Sequence, residues 1–249
     1  MPTRTRSWAS PVAEPSTPSR VVGVLGGMGP AATVDFYAKL VRSTPAARDQ
    51  EHLRVVIWAD PTVPSRQEAL VAGGADPSPW LETGIRHLLR CGAEILVVPC
   101  NTIHAYLPAV LAGKDVEFIS IIDATVEAVR ETDPTGTVGL LATDGALASG
   151  LYQRAFVEAG MEVVVPSRSS QTALMDVVTA VKSGDTGTTQ QQKLSGLLVE
   201  LTEDGASIVV AGCTEASALL ATMDADTRVV DPSQVLVDAT IERALHVQE

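Results

Sequence analysis

The two halves of the chain repeat one pattern of strand, turn and helix. The first half opens with VVGVLGGMGPAATVDFYAKL and reaches LVVPCNTIHAYL; the second opens with TVGLLATDGALASGLYQRAF and reaches IVVAGCTEASALL. Gly23 precedes Cys100 by 77 residues, and Gly139 precedes Cys213 by 74 residues. The repeat predicts two copies of one α/β unit, with a cysteine at the equivalent position of each copy.

From Val21 onwards, short aliphatic runs alternate with longer amphipathic segments. Strands that are apolar throughout and alternate with helices predict parallel sheets covered on both faces. A helix is predicted over Trp80–Cys91, with Gly92 as its C-terminal cap. The predicted strands are Val21–Gly26, Arg54–Ala59, Glu94–Pro99, Glu117–Ile121, Thr137–Ala142, Glu162–Val165, Ala206–Ala211 and Arg228–Val230. The expected fold class is α/β, with two similar lobes, each a mostly parallel sheet flanked by helices, related by pseudo-twofold symmetry.

Composition narrows the class of protein further. The chain has 249 residues, a formal net charge of −12 and three cysteines, Cys91, Cys100 and Cys213. Such acidity, without a basic run, argues against binding nucleic acid or anionic lipid. Three cysteines with no CxxC pair argue against a disulfide framework or a structural zinc site, so we expect no metal and a cytoplasmic protein. Residues 1–20 are rich in Pro, Ser and Thr and are predicted to be a disordered leader.

Cys100 and Cys213 are both predicted to follow a strand and to precede a helix. A helix N-terminus favours negative charge, which would bring a thiol pKa from ~8.5 to about 7. Two neighbouring thiols do not ionise independently, so one thiolate and one thiol are expected near neutral pH. Such a pair can remove a proton from one face of a carbon and return one to the other. The alternative is that both are buried apolar residues, which is the interpretation preferred for Cys91, a packing residue at a helix end.

Five motifs, LGGMGP, RDQEH, PCNTIHAY, GLLATDGALASGLY and AGCTE, resemble the aspartate/glutamate racemase family, and most of all its cofactor-independent aspartate racemases. The resemblance runs from about Val21 to the last helix. It implies a first lobe of residues 21–122 plus 231–249, a second lobe of residues 123–230, and a homodimer. It implies that Cys100 and Cys213 are the acid/base pair. The substrate contacts that it implies are Gly27 and Met28 in the Gly26–Gly29 turn, Arg66, Asn101, Thr102, Thr143, Lys182 and Thr214.

The residues themselves leave several of these roles open. Glycines before Pro30 allow a turn that donates N–H groups to a carboxylate. Arg66 suits bidentate carboxylate binding, but an isolated loop arginine is also an ordinary surface residue. Lys182 is open in the same way, since a lysine near a helix end complements the helix dipole.

Three other side chains near the motifs carry open roles. His104 could share a helix face with Cys100, donate to the substrate, or be a histidine on the helix surface or at an interface. Glu215 could act as an acid beside Cys213 or be a first-turn residue favoured by the dipole. Asp144 departs from the neutral hydroxyl residue usual after this Thr in related sequences, and its carboxylate could repel an acidic substrate.

Three other functions are compatible with parts of this pattern. GMGPAA fits a dinucleotide-binding turn, but such a turn expects an acidic residue about 20 positions later at the end of the next strand, whereas the next strand here ends much later, at Asp60. A thiol hydrolase would use Cys100 with His104 and would not need Cys213. A non-catalytic protein that binds an acidic amino acid would use the same scaffold without chemistry.

The sequence favours an amino-acid racemase acting on aspartate, with glutamate or a broader acidic range as the alternative. None of the four lysines in the chain lies in a recognisable Schiff-base motif, so no cofactor, and in particular no pyridoxal phosphate, is expected.

Overall fold

The computed structural model describes residues 19–134, 136–223 and 227–245. The leader predicted for residues 1–20 lies outside the described residues, apart from its last two positions. Within the described ranges, no helix is long and apolar enough to cross a membrane.

All eight predicted strands are present, with ends that differ by at most two residues from the prediction. They form two parallel four-stranded sheets with the same strand order, β2-β1-β3-β4 and β6-β5-β7-β8. The predicted α/β duplication is therefore confirmed at the level of topology. The strands are β1 (Val22–Gly26), β2 (Val55–Ala59), β3 (Ile95–Val97), β4 (Glu117–Ile119), β5 (Thr137–Leu141), β6 (Glu162–Val164), β7 (Ala206–Ala211) and β8 (Val229–Val230).

The connecting helices follow the predicted alternation. The helix predicted over Trp80–Cys91 spans Ser78–Arg90, and Gly92 follows it with a φ of 84°, as expected of a left-handed C-terminal cap. Two short 3-10 helices cover Asp49–Glu51 and Thr102–Ala105. The α-helices are α1 (Pro30–Ser43), α2 (Arg66–Val71), α3 (Ser78–Arg90), α4 (Leu107–Leu111), α5 (Ile121–Thr132), α6 (Asp144–Ser149), α7 (Leu151–Glu158), α8 (Arg168–Lys182), α9 (Thr188–Glu203), α10 (Thr214–Leu220) and α11 (Pro232–Leu245).

The core has three parts because each sheet is buried on both faces. Alternate residues of β1, β3, β5 and β7 point into one shared core, which α1, α5, α7 and α11 fill between the two sheets. The other residues of these strands point outwards into separate cores, under α3 and α4 on one side and under α8, α9 and α10 on the other. The strand apolarity that predicted a sheet covered on both faces is thus explained by this layering.

The last helix, α11, packs against helices that lie much earlier in the chain. α11 packs against α1 and α5, and α5 also packs against α7. The Lys39 ammonium on α1 lies 2.7 Å from the Asp231 carboxylate, just before α11. The return of the C-terminal helix to the first sheet agrees with the expected organisation, while the lobe boundaries at residues 122 and 231 stay a prediction.

Candidate active site

The sequence-predicted site residues gather at the carboxyl ends of the central strands. Gly27 follows β1 directly, Thr143 lies two residues after β5, and Cys213 lies two residues after β7. Cys100 lies three residues after β3. The strand order reverses direction between β1 and β3 in the first sheet and between β5 and β7 in the second. Ligand sites of open parallel sheets form in the crevice at this position.

Cys100 is buried at the turn between β3 and the 3-10 helix Thr102–Ala105. The backbone N–H of Ile103 and the guanidinium of Arg66 act on its sulfur, and both interactions lower the thiol pKa. Arg66 begins α2 and is half-buried, and its guanidinium donates to the Met28 carbonyl at 3.1 Å. The positive charge beside this thiol therefore comes from a side chain anchored to the turn after β1.

The turn after β1 is built by close backbone packing. Gly27 has a φ of 92°, and a Cβ on it would collide with the backbone of Asp60. Its N–H donates to the Thr33 hydroxyl at 2.9 Å. Met28 is buried, and Pro30 opens α1 as predicted. The Gly27 N–H therefore already has a partner within the protein, in contrast to the expectation that this turn offers free N–H groups to a carboxylate.

Cys213 is the N-cap residue of α10 and is 2% exposed. Its thiol donates to the Glu215 carboxylate, with 3.1 Å between Sγ and Oε2. The hydroxyl of Thr214 donates to the same oxygen, also at 3.1 Å. The other oxygen, Oε1, lies 3.7 Å from the Lys182 ammonium at the end of α8. Cys213, Thr214, Lys182 and Glu215 therefore form one connected polar group.

Contacts between the two halves of the chain connect the surroundings of Cys100 with those of Cys213. The Thr102 and Thr143 hydroxyls lie 3.3 Å apart, which links the turn of Cys100 to the end of β5. The Glu215 carboxylate also raises the pKa of both thiols, so Cys100 and Cys213 lie within the electrostatic range of one charge. The site is therefore shared by the two sheets.

The expected lowering of the two thiol pKa values is wrong for this structure. Burial raises the pKa of both Cys100 and Cys213, because the thiolate loses its hydration. The Glu215 carboxylate raises the pKa of Cys213 further. At Cys100, only a 3-10 helix of four residues follows the strand, so the dipole invoked for a longer helix is small.

His104 has a structural position. It is buried, its Nδ1 donates to the Cys100 carbonyl at 2.8 Å, and its Nε2 accepts from the Ile121 backbone N–H at 3.3 Å. Burial lowers the pKa of His104 to about 4, which keeps the ring neutral. Both ring nitrogens are engaged with backbone groups, so donation to a substrate and a surface position are both wrong. The histidine fixes the backbone of the cysteine instead.

Other polar side chains at the site were missed by sequence reasoning. The Tyr152 hydroxyl donates to the Asn101 carboxamide oxygen at 2.7 Å, and both residues are buried. The Gln67 carboxamide oxygen accepts from the Gly145 N–H at 2.6 Å, so α2 is hydrogen-bonded to α6. Tyr152 belongs to the second-half motif and Gln67 adjoins Arg66, so position in the motifs was the signal available for both.

Asp144 lies at the start of α6 and is exposed. Its carboxylate accepts from the Gln171 carboxamide at 2.7 Å, and the same nitrogen donates to the Ala142 carbonyl at 3.0 Å. Gln171 thus holds the carboxylate against α8. The expected repulsion of an acidic substrate by Asp144 stays a prediction.

The third cysteine stands apart. Cys91 is the C-cap residue of α3 and is exposed, so its predicted packing role is wrong although its position at a helix end is confirmed. Among the described residues, no group of three or more His, Cys, Asp or Glu side chains is arranged to hold a metal ion.

An enzyme that moves a proton between the two faces of one carbon needs a proton-carrying group on each side of its substrate. Two like sheets, each with a buried thiol at the same strand end, fit the class of amino-acid racemases, which are isomerases. The family model described as Asp/Glu/Hydantoin racemase matches residues 25–240, and the chain belongs to this family.

Three known proteins are similar to this chain in sequence, in fold or in both. The aspartate racemase of Picrophilus torridus is 28% identical, with a TM-score of 0.80 over 90% of this chain and 94% of that one. The broad specificity amino-acid racemase RacX of Bacillus subtilis (strain 168) is 24% identical over 92% of this chain and 100% of its own length. The glutamate racemase of Francisella tularensis, solved in complex with D-glutamate, shares the fold at 18% identity, with a TM-score of 0.67 over 93% of this chain and 85% of that one.

Proposed function

We propose that the protein interconverts L- and D-aspartate without pyridoxal phosphate, by a two-base mechanism in which Cys100 and Cys213 carry the protons. The observation that carries this proposal is the equivalent position of two buried thiols after β3 and β7 of like sheets. A family of amino-acid racemases that includes an aspartate racemase at 28% identity supports it.

In the proposed reaction, one cysteine thiolate removes the α-proton and becomes a thiol. The electron pair of the broken C–H bond stays on the α-carbon and is delocalised into the α-carboxylate. The other thiol then donates its proton to the opposite face and becomes the thiolate. The reaction leaves the substrate inverted and the two cysteines with exchanged protonation states. General acid–base groups of this kind typically contribute 10²–10⁴-fold to a rate.

The substrate contacts are proposals of the same kind. We expect Arg66 and Lys182 to bind the two substrate carboxylates. The Arg66 guanidinium acts on the Cys100 thiol and is anchored to the Met28 carbonyl, and the Lys182 ammonium faces Glu215, which contacts the Cys213 thiol. Hydroxyl and amide groups at the strand ends supply the remaining polar contacts, together with the turn after β1. These residues are Gly27, Met28, Asn101, Thr102, Thr143 and Thr214.

The test is incubation with L-aspartate in D2O, with optical rotation and α-deuteration followed together. We expect loss of rotation and one deuterium at the α-carbon of the product. Cys100→Ser and Cys213→Ser should each lose at least 10²-fold in rate, because a serine hydroxyl does not ionise in this range. Cys91→Ser, at the exposed cysteine, is the matched control and should keep its activity.

Three other results would overturn the proposal in different ways. Absence of exchange with both aspartate and glutamate would contradict racemisation. Binding of aspartate without α-deuteration would indicate a non-catalytic binding protein. Full activity in Cys213→Ser would indicate a reaction that needs one thiol, such as thiol-dependent hydrolysis.

A broader substrate range is the second candidate. The Lys182 ammonium, proposed to bind a substrate carboxylate, is already 3.7 Å from the Glu215 carboxylate. A second carboxylate, that of Asp144, is on the first residue of α6, next to Thr143. These two carboxylates of the protein offset the positive charge that would select a dicarboxylate substrate. Rates with glutamate and with amino acids that have uncharged side chains, measured beside aspartate, decide between the two candidates.

We further propose a homodimer located in the cytoplasm. Val34, Tyr37 and Val41 on α1 and Ile57 on β2 are exposed large apolar side chains, and together they line one surface depression. β2 is also the edge strand of its sheet. A contiguous apolar surface beside an open strand edge is typical of an association interface. Three unpaired cysteines agree with a reducing compartment.

A further inference from the structure

The two thiols have opposite charged neighbours. Cys100 has the guanidinium of Arg66, which favours its thiolate through charge and a side-chain hydrogen bond. Cys213 has the carboxylate of Glu215 as its hydrogen-bond acceptor at 3.1 Å, and this charge favours the thiol. The fold is duplicated, but the electrostatic surroundings of its two cysteines are not.

Glu215 is held by hydrogen bonds in direct contact with Cys213 and its neighbours. Oε2 accepts from the Cys213 thiol and from the Thr214 hydroxyl, both at 3.1 Å. Oε1 faces the Lys182 ammonium at 3.7 Å. The Glu215 side chain is 18% exposed and the Lys182 side chain is 58% exposed, so the ion pair leads from the buried thiol towards the surface. The Glu215 carboxylate thus accepts a hydrogen bond from the Cys213 thiol on its buried side and faces the Lys182 ammonium on its exposed side.

We propose that Glu215 is a positioning residue that keeps Cys213 protonated, while Arg66 makes Cys100 the thiol that loses its proton first. This inference rests on the proposed two-thiol function and assigns the two roles within it. In the resting protein, Cys100 removes the α-proton and Cys213 donates its proton to the opposite face. The Cys213 thiolate formed by turnover then faces the Glu215 carboxylate, and this repulsion favours return of a proton from solvent to Cys213 and loss of one from Cys100.

The charged groups that bear on the two thiols come from three elements. Arg66 belongs to α2, Glu215 to α10 and Lys182 to α8, and Lys182 acts through its ion pair with Glu215. The Asp144 carboxylate of α6 is turned towards Gln171. Replacement of Glu215 by glutamine therefore removes the negative charge that contacts the Cys213 thiol, while an oxygen acceptor is retained.

The experiment is alkylation by iodoacetamide, an uncharged reagent, from pH 6 to pH 10. The modified fraction of each cysteine is read by mass spectrometry of its peptide, with the exposed Cys91 as internal reference. In the wild-type protein, we expect the rate at Cys100 to rise at a lower pH than the rate at Cys213. In Glu215→Gln, the rate at Cys213 should rise about tenfold at a fixed pH below its pKa, as for a pKa lowered by one unit.

Two controls separate charge from general disruption. Glu203→Gln removes an exposed carboxylate at the end of α9 and should leave all three rates unchanged. Glu215→Asp keeps the charge and should leave Cys213 within about threefold of the wild-type rate, whereas a role in packing alone would make it as reactive as in Glu215→Gln.

The pH profile of kcat/KM provides a second readout. The acidic limb reports formation of the thiolate, and the basic limb reports loss of the proton from the thiol. Glu215→Gln should move the basic limb to lower pH by more than the acidic limb, whereas a purely structural defect would lower the whole profile without this shift.

An unchanged alkylation rate at Cys213 in Glu215→Gln would overturn the inference. So would a wild-type protein in which Cys213 becomes reactive at a lower pH than Cys100. Alkylation does not require turnover, so a protein that racemises no amino acid would end the proposed function while the order of thiol reactivity still decides this inference.

Discussion

At the scale of single residues, His104 connects the site to the stability of the fold. Its neutral ring bridges the Cys100 carbonyl and the Ile121 N–H. In the unfolded chain, a histidine has a pKa of ~6.5, whereas burial lowers the pKa of His104 to about 4. Below pH 6.5 the unfolded state binds the proton more readily, so stability is lost as pH falls towards 4.

We therefore expect this histidine to cost the protein about 3 kcal/mol of unfolding free energy between pH 7 and pH 4. Urea unfolding at several pH values measures this loss. His104→Asn should be less stable at pH 7, because it loses a bridge between two backbone groups. Its unfolding free energy should fall less than that of the wild-type protein as pH is lowered. Ile121→Val keeps the backbone N–H that contacts His104, so it is the control and should keep the wild-type dependence of unfolding free energy on pH. An identical slope in His104→Asn would contradict the prediction.

Some features of the site could be predicted from the sequence and others could not. Cys100 and Cys213 were predicted as a pair because the repeat gives them the same place after a strand. The direction of their pKa change was not predictable, because it depends on burial and on a carboxylate whose orientation only packing fixes. The role of His104 was missed for a similar reason, since its second partner, Ile121, is 17 residues away in the chain.

At the scale of secondary-structure elements, two equivalent glycines allow the neighbouring strands to begin close to β1 and β5. A Cβ on Gly23 in β1 would come 2.7 Å from the Cβ of Ala93. A Cβ on Gly139 in β5 would come 3.0 Å from the Cβ of Ala206. In both halves, the glycine leaves room for a residue at or just before the start of a neighbouring strand.

We expect Gly23→Ala to lower the unfolding free energy by about 1–3 kcal/mol, because backbone-attached atoms must shift in a packed core. Gly139→Ala should cost less, because its nearest contact is looser. Gly196→Ala on α9 meets open space and is the control; it should gain roughly 0.5–1 kcal/mol. Chemical denaturation of the three variants checks the order, and an equal effect at Gly23 and Gly196 would contradict it.

Strands were more predictable than their connections. Aliphatic runs that are buried on both faces identify strands such as β3 and β7 without further information. The short helices were not predictable from periodicity, since α4 and α6 span one to two turns and are fixed by contacts with other elements. The Pro30 start of α1 was predictable, because proline suits the first turn of a helix.

At the scale of the whole molecule, the apolar surface on α1 predicts the oligomeric state. Val34 is 69% exposed and Val41 is 40% exposed. We expect the wild-type protein to sediment as a dimer and Val34→Glu with Val41→Glu to sediment as a monomer, because two buried charges would be unpaired in the interface. Val199→Glu, at an exposed valine of α9, is the control and should leave the dimer intact. A wild-type monomer at high concentration would contradict the proposal.

The order of strands in the two sheets has a consequence for handedness. A polypeptide of L-amino acids is chiral throughout, and most sites in such a molecule distinguish sharply between mirror-image ligands. Two sheets with the same strand order, β2-β1-β3-β4 and β6-β5-β7-β8, would present a thiol to the proposed substrate from each side, although the charged neighbours of the two thiols differ. Duplication of a single chiral unit is thus a simple way for a chiral molecule to treat a compound and its mirror image alike.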